Sequence, residues 1–303
     1  MYYAGRRCCR SWRPWPPCAW SCLPAGRIRL LLGQAHSAGA RIAVLPEYLS
    51  LELAASLGAP VFADLPASLA GIQRYRQAWL ALFAGLAAEL DMHIVAGSFL
   101  LEHVPGRYRN RCDWFTPDGR ALWQDKLQLT GFEKKTGVID AGDALKVFDI
   151  DGLRVGVAIC YDSEFPLPVR AQYEAGARLL VVPSCTDTVA GATRVRVGCL
   201  ARALENRLFV APSVTAGLAA WSPALDMNTG QAAVLRRWMW AFPLTGCWRR
   251  PPMTRSGRWP GWTSPGSRPT VPGPRWPMTA IGPGSAARPC SRRCWADESG
   301  VRA

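Results

Sequence analysis

Four short runs constrain this chain more than any other feature: "RIAVLPE" (41–47), "HIVAGS" (93–98), "RLLVVPS" (178–184) and "RLFVAPS" (207–213). Each has a nearly continuous apolar centre rather than an alternation of polar and apolar residues. A strand with one wet face would put every second side chain into water, so runs like these suit strands buried on both faces. Helical stretches at 73–90, 167–177 and 191–206 precede the last three of them. Two hairpin signals lie between: "WFTPDGRALWQ", with a turn at 116–119, and "KVFDIDGLRVGVAI", where Asp151 and Gly152 form a two-residue turn. Strands alternating with helices, plus hairpins, predict an α/β fold with a mixed sheet covered by helices.

The net charge of +14 suggests nucleic acid until it is mapped along the chain. Residues 1–29 carry six arginines and no acid, and residues 236–303 carry twelve arginines against Asp297 and Glu298. The middle, 30–235, holds eighteen basic and twenty acidic residues, a net −2, and all four lysines, Lys126, Lys134, Lys135 and Lys146. The chain therefore divides into an irregular basic segment, 1–29, a folded domain, 30–235, and an irregular Arg/Pro/Trp-rich segment, 236–303. No apolar run reaches the roughly 20 residues of a membrane span, and residues 1–29 contain no signal-length apolar stretch. A cytoplasmic protein that binds neither membrane nor nucleic acid is expected. The eleven cysteines fall in a chain too long and helix-rich for a small disulfide scaffold. They also lack the paired spacing, with downstream histidines, of a zinc site. No metal or cofactor is expected.

The two end segments share a texture. The later one reads "RRWMWAFPLTGCWRRPPMTRSGRWPGW", with no period of a helix or a strand, and 236–303 holds seven tryptophans. Disordered tails are poor in aromatics. Trp and Met have single codons, so the run Trp238, Met239, Trp240, Ala241 must be TGG ATG TGG GCN. Read from its third base, that string gives Asp-Val-Gly, and permitted codons for Phe242 and Pro243 continue it as Phe-Pro. A change of reading frame near 234–237 is predicted, with a second before about residue 30.

In open α/β sheets, ligands sit beyond the carboxyl ends of strands. Glu47 follows the first run. Cys160 follows "LRVGVAI" and precedes Pro166 and Pro168, which suit the first turn of a helix. Closeness to a helix N-terminus favours a thiolate there. Lys126 follows the hairpin strand. A thiol to attack, a carboxylate to take its proton and an ammonium to face a developing oxyanion make a complete set. No histidine is needed, and His36, His93 and His103 occupy no comparable positions. Cys185 and Cys199 read as structural, and Lys134 and Lys135 as solvated. Asp162, Glu164, Arg170 and Asp187 either line a pocket or pair with one another.

"AVLPEY", "DKLQLTGFE" and "VGVAICYDSEFP", in that order, resemble the nitrilase superfamily of carbon–nitrogen hydrolases, and "VVPSCTD", "ARALENRLFV" and "WSPALDMNTG" extend the likeness over about 31–235. The resemblance implies an α-β-β-α sandwich that pairs into homodimers or larger homo-oligomers through helices near the cysteine. It implies Glu47 as general base, Lys126 as oxyanion stabiliser and Cys160 as nucleophile. Glu133 would orient substrate and lysine, and the Tyr161 backbone N–H would complete the oxyanion hole. The segment after Lys126 resembles amidases, so a small-molecule amide is the expected substrate, with nitriles and N-carbamoyl compounds as alternatives. The chain departs from the family pattern at Gln124 and Asp125, where Tyr-Arg is usual, and it lacks the usual first strand before Leu30. An inactive or misfolded truncated member is a second reading, separable by unfolding and activity measurements. A basic-tail nucleic-acid binder is a third, whose affinity would fall steeply with salt.

Overall fold

The computed structural model describes residues 24–236. Most of the two segments expected to be irregular lie outside the described residues, which end within the 234–237 stretch where the change of frame is predicted. The first described element corrects one boundary. Residues 24–29, assigned above to the irregular segment 1–29, belong to helix α1 (Pro24–Ser37). Ile28, Leu32 and Ala35, spaced four and three apart, form an apolar stripe packed into the core. The surrounding arginines mask that stripe in the sequence.

Strand β1 (Ile42–Val44) follows, then a 3₁₀ segment (Leu49–Leu57) and helices α2 (Ala59–Phe62), α3 (Leu65–Ile72) and α4 (Arg76–Glu89). Asp64 caps α3 by accepting from the Ala67 N–H at 2.8 Å. Next come β2 (His93–Val95), β3 (Phe99–Val104), β4 (Arg107–Phe115), β5 (Ala121–Asp125), α5 (Gly131–Thr136) and β6 (Ile139–Asp140). The first sheet runs β1-β2-β4-β3, with β5 and β6 also paired to β4. β1 and β2 are parallel, whereas β4 is antiparallel to β2, β3 and β5.

The second sheet is formed by β7 (Val147–Ile150), β8 (Leu153–Val157), β9 (Leu179–Ser184) and β10 (Phe209–Val214), in the order β10-β9-β8-β7. Its helices are α6 (Pro166–Glu174) and α7 (Val189–Asn206), and a small ribbon of β11 (Gly217–Leu218) and β12 (Met227–Asn228) follows. The β7–β8 turn is the expected one: Asp151 has φ 51° and Gly152 φ 78°, the two positive values a type I′ hairpin requires.

The four apolar runs occupy β1, β2, β9 and β10, and β2 and β9 are buried along their whole length. One core lies between the first sheet and helices α1, α3 and α4. Trp79 and Phe83 of α4 pack there against Phe99 and Phe115, with ring centroids 5.4 and 5.9 Å apart respectively. A second core joins Val44, Val95, Cys112 and Trp114 of the first sheet to Val155, Val157, Leu180 and Val182 of the second. It continues to Val169, Val195 and Cys199 on α6 and α7. Each such buried side chain contributes about 1.5–3 kcal/mol of transfer free energy. The layers are helix, sheet, sheet, helix, the α-β-β-α sandwich that the resemblance implies.

Candidate active site

Glu47, Lys126 and Cys160 each stand just past a strand end: β1, β5 and β8 respectively. The first two strands belong to one sheet and the third to the other, so the cluster bridges the sandwich. Glu47 is held by a close approach of two backbones. Gly97 has φ +72°, and a Cβ there would stand 2.1 Å from the Pro46 carbonyl oxygen. Beside it, the Ser98 hydroxyl accepts from the Tyr48 N–H at 2.9 Å. Lys126 is fixed through its main chain: its N–H donates to the Asn110 carbonyl at 2.9 Å, and its carbonyl accepts from Gly142 at 2.7 Å.

The side chains converge. Lys126 is 1% exposed, and its Nζ lies 2.8 Å from Glu47 Oε1 and 2.9 Å from Glu133 Oε2. Asn110 Nδ2 donates to both carboxylates, at 2.8 Å to Glu47 and 3.2 Å to Glu133. The Tyr48 hydroxyl donates to Glu133 at 2.7 Å, and the Cys185 N–H donates to Glu47 Oε2 at 2.9 Å. Glu133 has a second task, because with Thr130 it forms the capping box of α5. Capping α5 and holding Lys126 are therefore compatible roles for Glu133.

Cys160 is buried and opens a 3₁₀ turn (Cys160–Glu164) with φ 49°. Such a left-handed residue other than glycine costs on the order of 1–2 kcal/mol and is concentrated at functional sites. The thiol donates to the Cys185 carbonyl at 3.4 Å, and the Cys185 N–H in turn donates to Glu47 at 2.9 Å. Tyr161 follows in the same turn, half-buried, with its ring edge-on to Phe165 at 4.9 Å.

Burial raises the Glu47 carboxyl above its ordinary range, and Lys126 only partly opposes it. Burial also pushes Glu133 upward, but Lys126 and the donors from Thr130 and Tyr48 overcome it and leave Glu133 lowered. Burial pulls the Lys126 ammonium down, yet the charges of Glu47 and Glu133 override it and hold it well above the lysine range. The two carboxylates thus diverge, one more basic and one firmly ionised. Cys160 differs from expectation. Burial, then the Glu47 charge, push its thiol well up against the pull of Lys126. Its enclosure thus opposes the thiolate that a helix terminus would favour, and α6 itself begins only at Pro166.

Tyr48, Asn110 and the Cys185 main chain escape the sequence reading. Asn110 had a usable signal: it shares a strand face with Cys112 and Trp114, and an amide among core residues calls for partners. Asp162 is buried, whereas Arg170 pairs with Glu174 and Glu164 with Arg194. Among the described residues, no group of three or more His, Cys, Asp or Glu is placed to hold a metal ion.

The family profile described as Carbon-nitrogen hydrolase matches residues 25–241. The chain belongs to the carbon–nitrogen hydrolase family. It is 32% identical to the "Probable hydrolase YhcX" of Bacillus subtilis, over 69% of this chain but only 40% of that protein's length. It is 28% identical to the omega-amidase NIT2-B of Xenopus laevis, over 69% of this chain and 73% of that one. Its fold matches that of Saccharomyces cerevisiae Nit3, a branch 10 nitrilase-superfamily member. That superposition has a TM-score of 0.55 at 21% identity, over 70% of this chain and 75% of the other. An amidase from Nesterenkonia sp. AN1, in a form showing acrylamide added at its active-site cysteine, superposes with a TM-score of 0.52 at 22% identity. That match covers 69% of this chain and 77% of that one.

Proposed function

We propose that this carbon–nitrogen hydrolase cleaves the amide bond of a small molecule through a thioester on Cys160. The observation that carries the reading is Glu47. It touches Lys126 at 2.8 Å, shares Cys185 as a backbone partner with the Cys160 thiol, and is more basic than an ordinary carboxylate. Those are the properties a general base for a thiol needs. The omega-amidase and amidase names among the relatives support amides as the substrate class.

In this reading the Cys160 sulfur attacks the amide carbon while its proton passes to Glu47. The carbonyl π electrons move onto oxygen, and the Lys126 ammonium and the Tyr161 N–H face that oxyanion. The oxyanion collapses, the carbon–nitrogen bond breaks, and Glu47 returns the proton to the departing nitrogen. The products of this half are ammonia or an amine and a Cys160 thioester. Water then gives a proton to Glu47 and attacks the thioester, and Glu47 returns that proton to the leaving sulfur as the acid departs. Glu133, ionised and fastened by Tyr48 and Thr130, keeps Lys126 charged and in place throughout.

Ammonia release from a panel of small amides, nitriles and ureido acids tests the proposal. Release from amides, abolished by Cys160→Ala and retained by Cys199→Ala, is the expected result. Substantial turnover in the Cys160 variant, or release from nitriles alone, would overturn it.

A further inference from the structure

We propose that Asp162 is a positioning residue, a carboxylate tie across the sandwich that sets where the Lys126 ammonium stands relative to the Cys160 sulfur. The proposal rests on the roles given above to Cys160 and Lys126.

Asp162 is 3% exposed and lies two residues beyond Cys160. Its Oδ1 accepts the Gln128 N–H at 2.7 Å and the Leu127 N–H at 3.1 Å. Its Oδ2 accepts the Ile159 N–H at 3.0 Å, with Leu127 again at 3.3 Å. Leu127 and Gln128 directly follow Lys126 at the end of β5 in the first sheet, and Ile159 directly precedes Cys160 at the end of β8 in the second. One side chain therefore clamps the residues adjoining the ammonium to those adjoining the thiol.

The geometry calls for a carboxylate. All the groups that meet the two oxygens are N–H donors, and only an ionised carboxyl offers acceptors on both. Asparagine would turn an NH₂ toward one set of donors, and alanine would abandon both. Burial lifts the Asp162 carboxyl to about 7, against Lys126 and the three backbone donors, so a pH above that value favours the charged clamp.

Each half of the site keeps its own anchor without Asp162. On the lysine side these are the main-chain bonds of Lys126 to Asn110 and Gly142. On the cysteine side, the Ser163 hydroxyl donates to the Cys160 carbonyl at 2.6 Å, and Arg202 donates to the Ser163 carbonyl at 3.4 Å. The turn also packs on α7 at Gly198, where a Cβ would stand 2.9 Å from the Ser163 oxygen. What Asp162 adds is the link between the halves.

The test uses the whole chain at pH 8.5, with rates expressed per Cys160 thiol titrated by iodoacetamide. Asp162→Asn and Asp162→Ala are expected to lower kcat about a hundredfold, the scale of a 1 Å misplacement, with KM within about threefold. In a Lys126→Arg background, Asp162→Asn is expected to cost less than about threefold more, because the ammonium it positions is already gone. Unchanged kcat per titrated thiol beside a lowered melting temperature would make Asp162 merely structural and overturn the proposal. So would a loss confined to KM, or full additivity with Lys126→Arg. If the alanine variant does not fold, the near-isosteric asparagine variant decides. Failure of the underlying reading shows separately, as ammonia release by Cys160→Ala.

Discussion

Lys126 is the charge around which the site is balanced. Two carboxylates approach it at 2.8 and 2.9 Å, and all three groups are almost fully buried. A lone buried ammonium would shed its proton, but here the paired carboxylates keep it charged. Arginine preserves the charge yet replaces a compact ammonium by a wide planar fork. In the place where Lys126 already touches Glu47 and Glu133 and stands 5.9 Å from the Tyr48 ring centroid, that fork displaces whatever faces the oxyanion. Lys126→Arg is expected to lower kcat at least about a hundredfold, the scale of one lost oxyanion donor. Far-ultraviolet circular dichroism is expected to stay the same. Glu47→Gln is expected to lose at least as much, because an amide cannot take the thiol proton. A rate within about tenfold of the parent for either variant would contradict the role given to that residue.

Element ends, rather than element interiors, carry the site. The loop after β1 leans on the turn after β2, and Gly97 is the point of contact. Alanine there would suffer twice, from φ +72° and from a Cβ 2.1 Å from the Pro46 oxygen. The backbone of Pro46 would have to move, and Glu47 with it. Gly97→Ala is expected to cost more than about 2 kcal/mol, by the combination of an incompatible backbone and overpacking. Thermal unfolding would record this as a lowered melting temperature. In the fraction that still folds, kcat is expected to fall because Glu47 is shifted from Lys126. A variant as stable and active as the parent would mean that the loop is not held at this point.

Across the whole molecule, the described residues form a two-sheet sandwich whose site lies where the sheets meet, and no described helix is long and apolar enough to cross a membrane. The charge lies elsewhere: the arginine-rich ends account for the excess, while 30–235 is close to neutral. Their codon texture leads us to propose that the ends are read out of frame. Resequencing the gene across the codons for 234–237 is expected to find an inserted or missing base that restores Asp-Val-Gly-Phe-Pro. An uninterrupted frame that matches the chain as it stands would end that proposal.

The sequence by itself determined the strands of the four apolar runs, the two hairpins and three of the helices, because hydrophobic period and turn chemistry are local properties; the division into two sheets between helices followed only from the family resemblance. It also marked Glu47, Lys126 and Cys160, which stand at recognisable offsets from strand ends, whereas Glu133, inside α5, was marked only by the family resemblance. It overlooked α1, whose apolar stripe is interleaved with arginines. Only the tertiary structure decided that Asn110, Tyr48 and the Cys185 main chain share those carboxylates, and that Asp162 ties the two sheets together. Apart from Asp162 with Ile159, three residues apart, these partners lie 34 to 138 residues from the atoms they bond, with Asn110 and Glu133 closer at 23. No local spacing records such a pairing. The protonation of Cys160 was likewise out of reach: a neighbouring helix favours the thiolate, and the depth of burial that opposes it exists only once both sheets have closed over the sulfur.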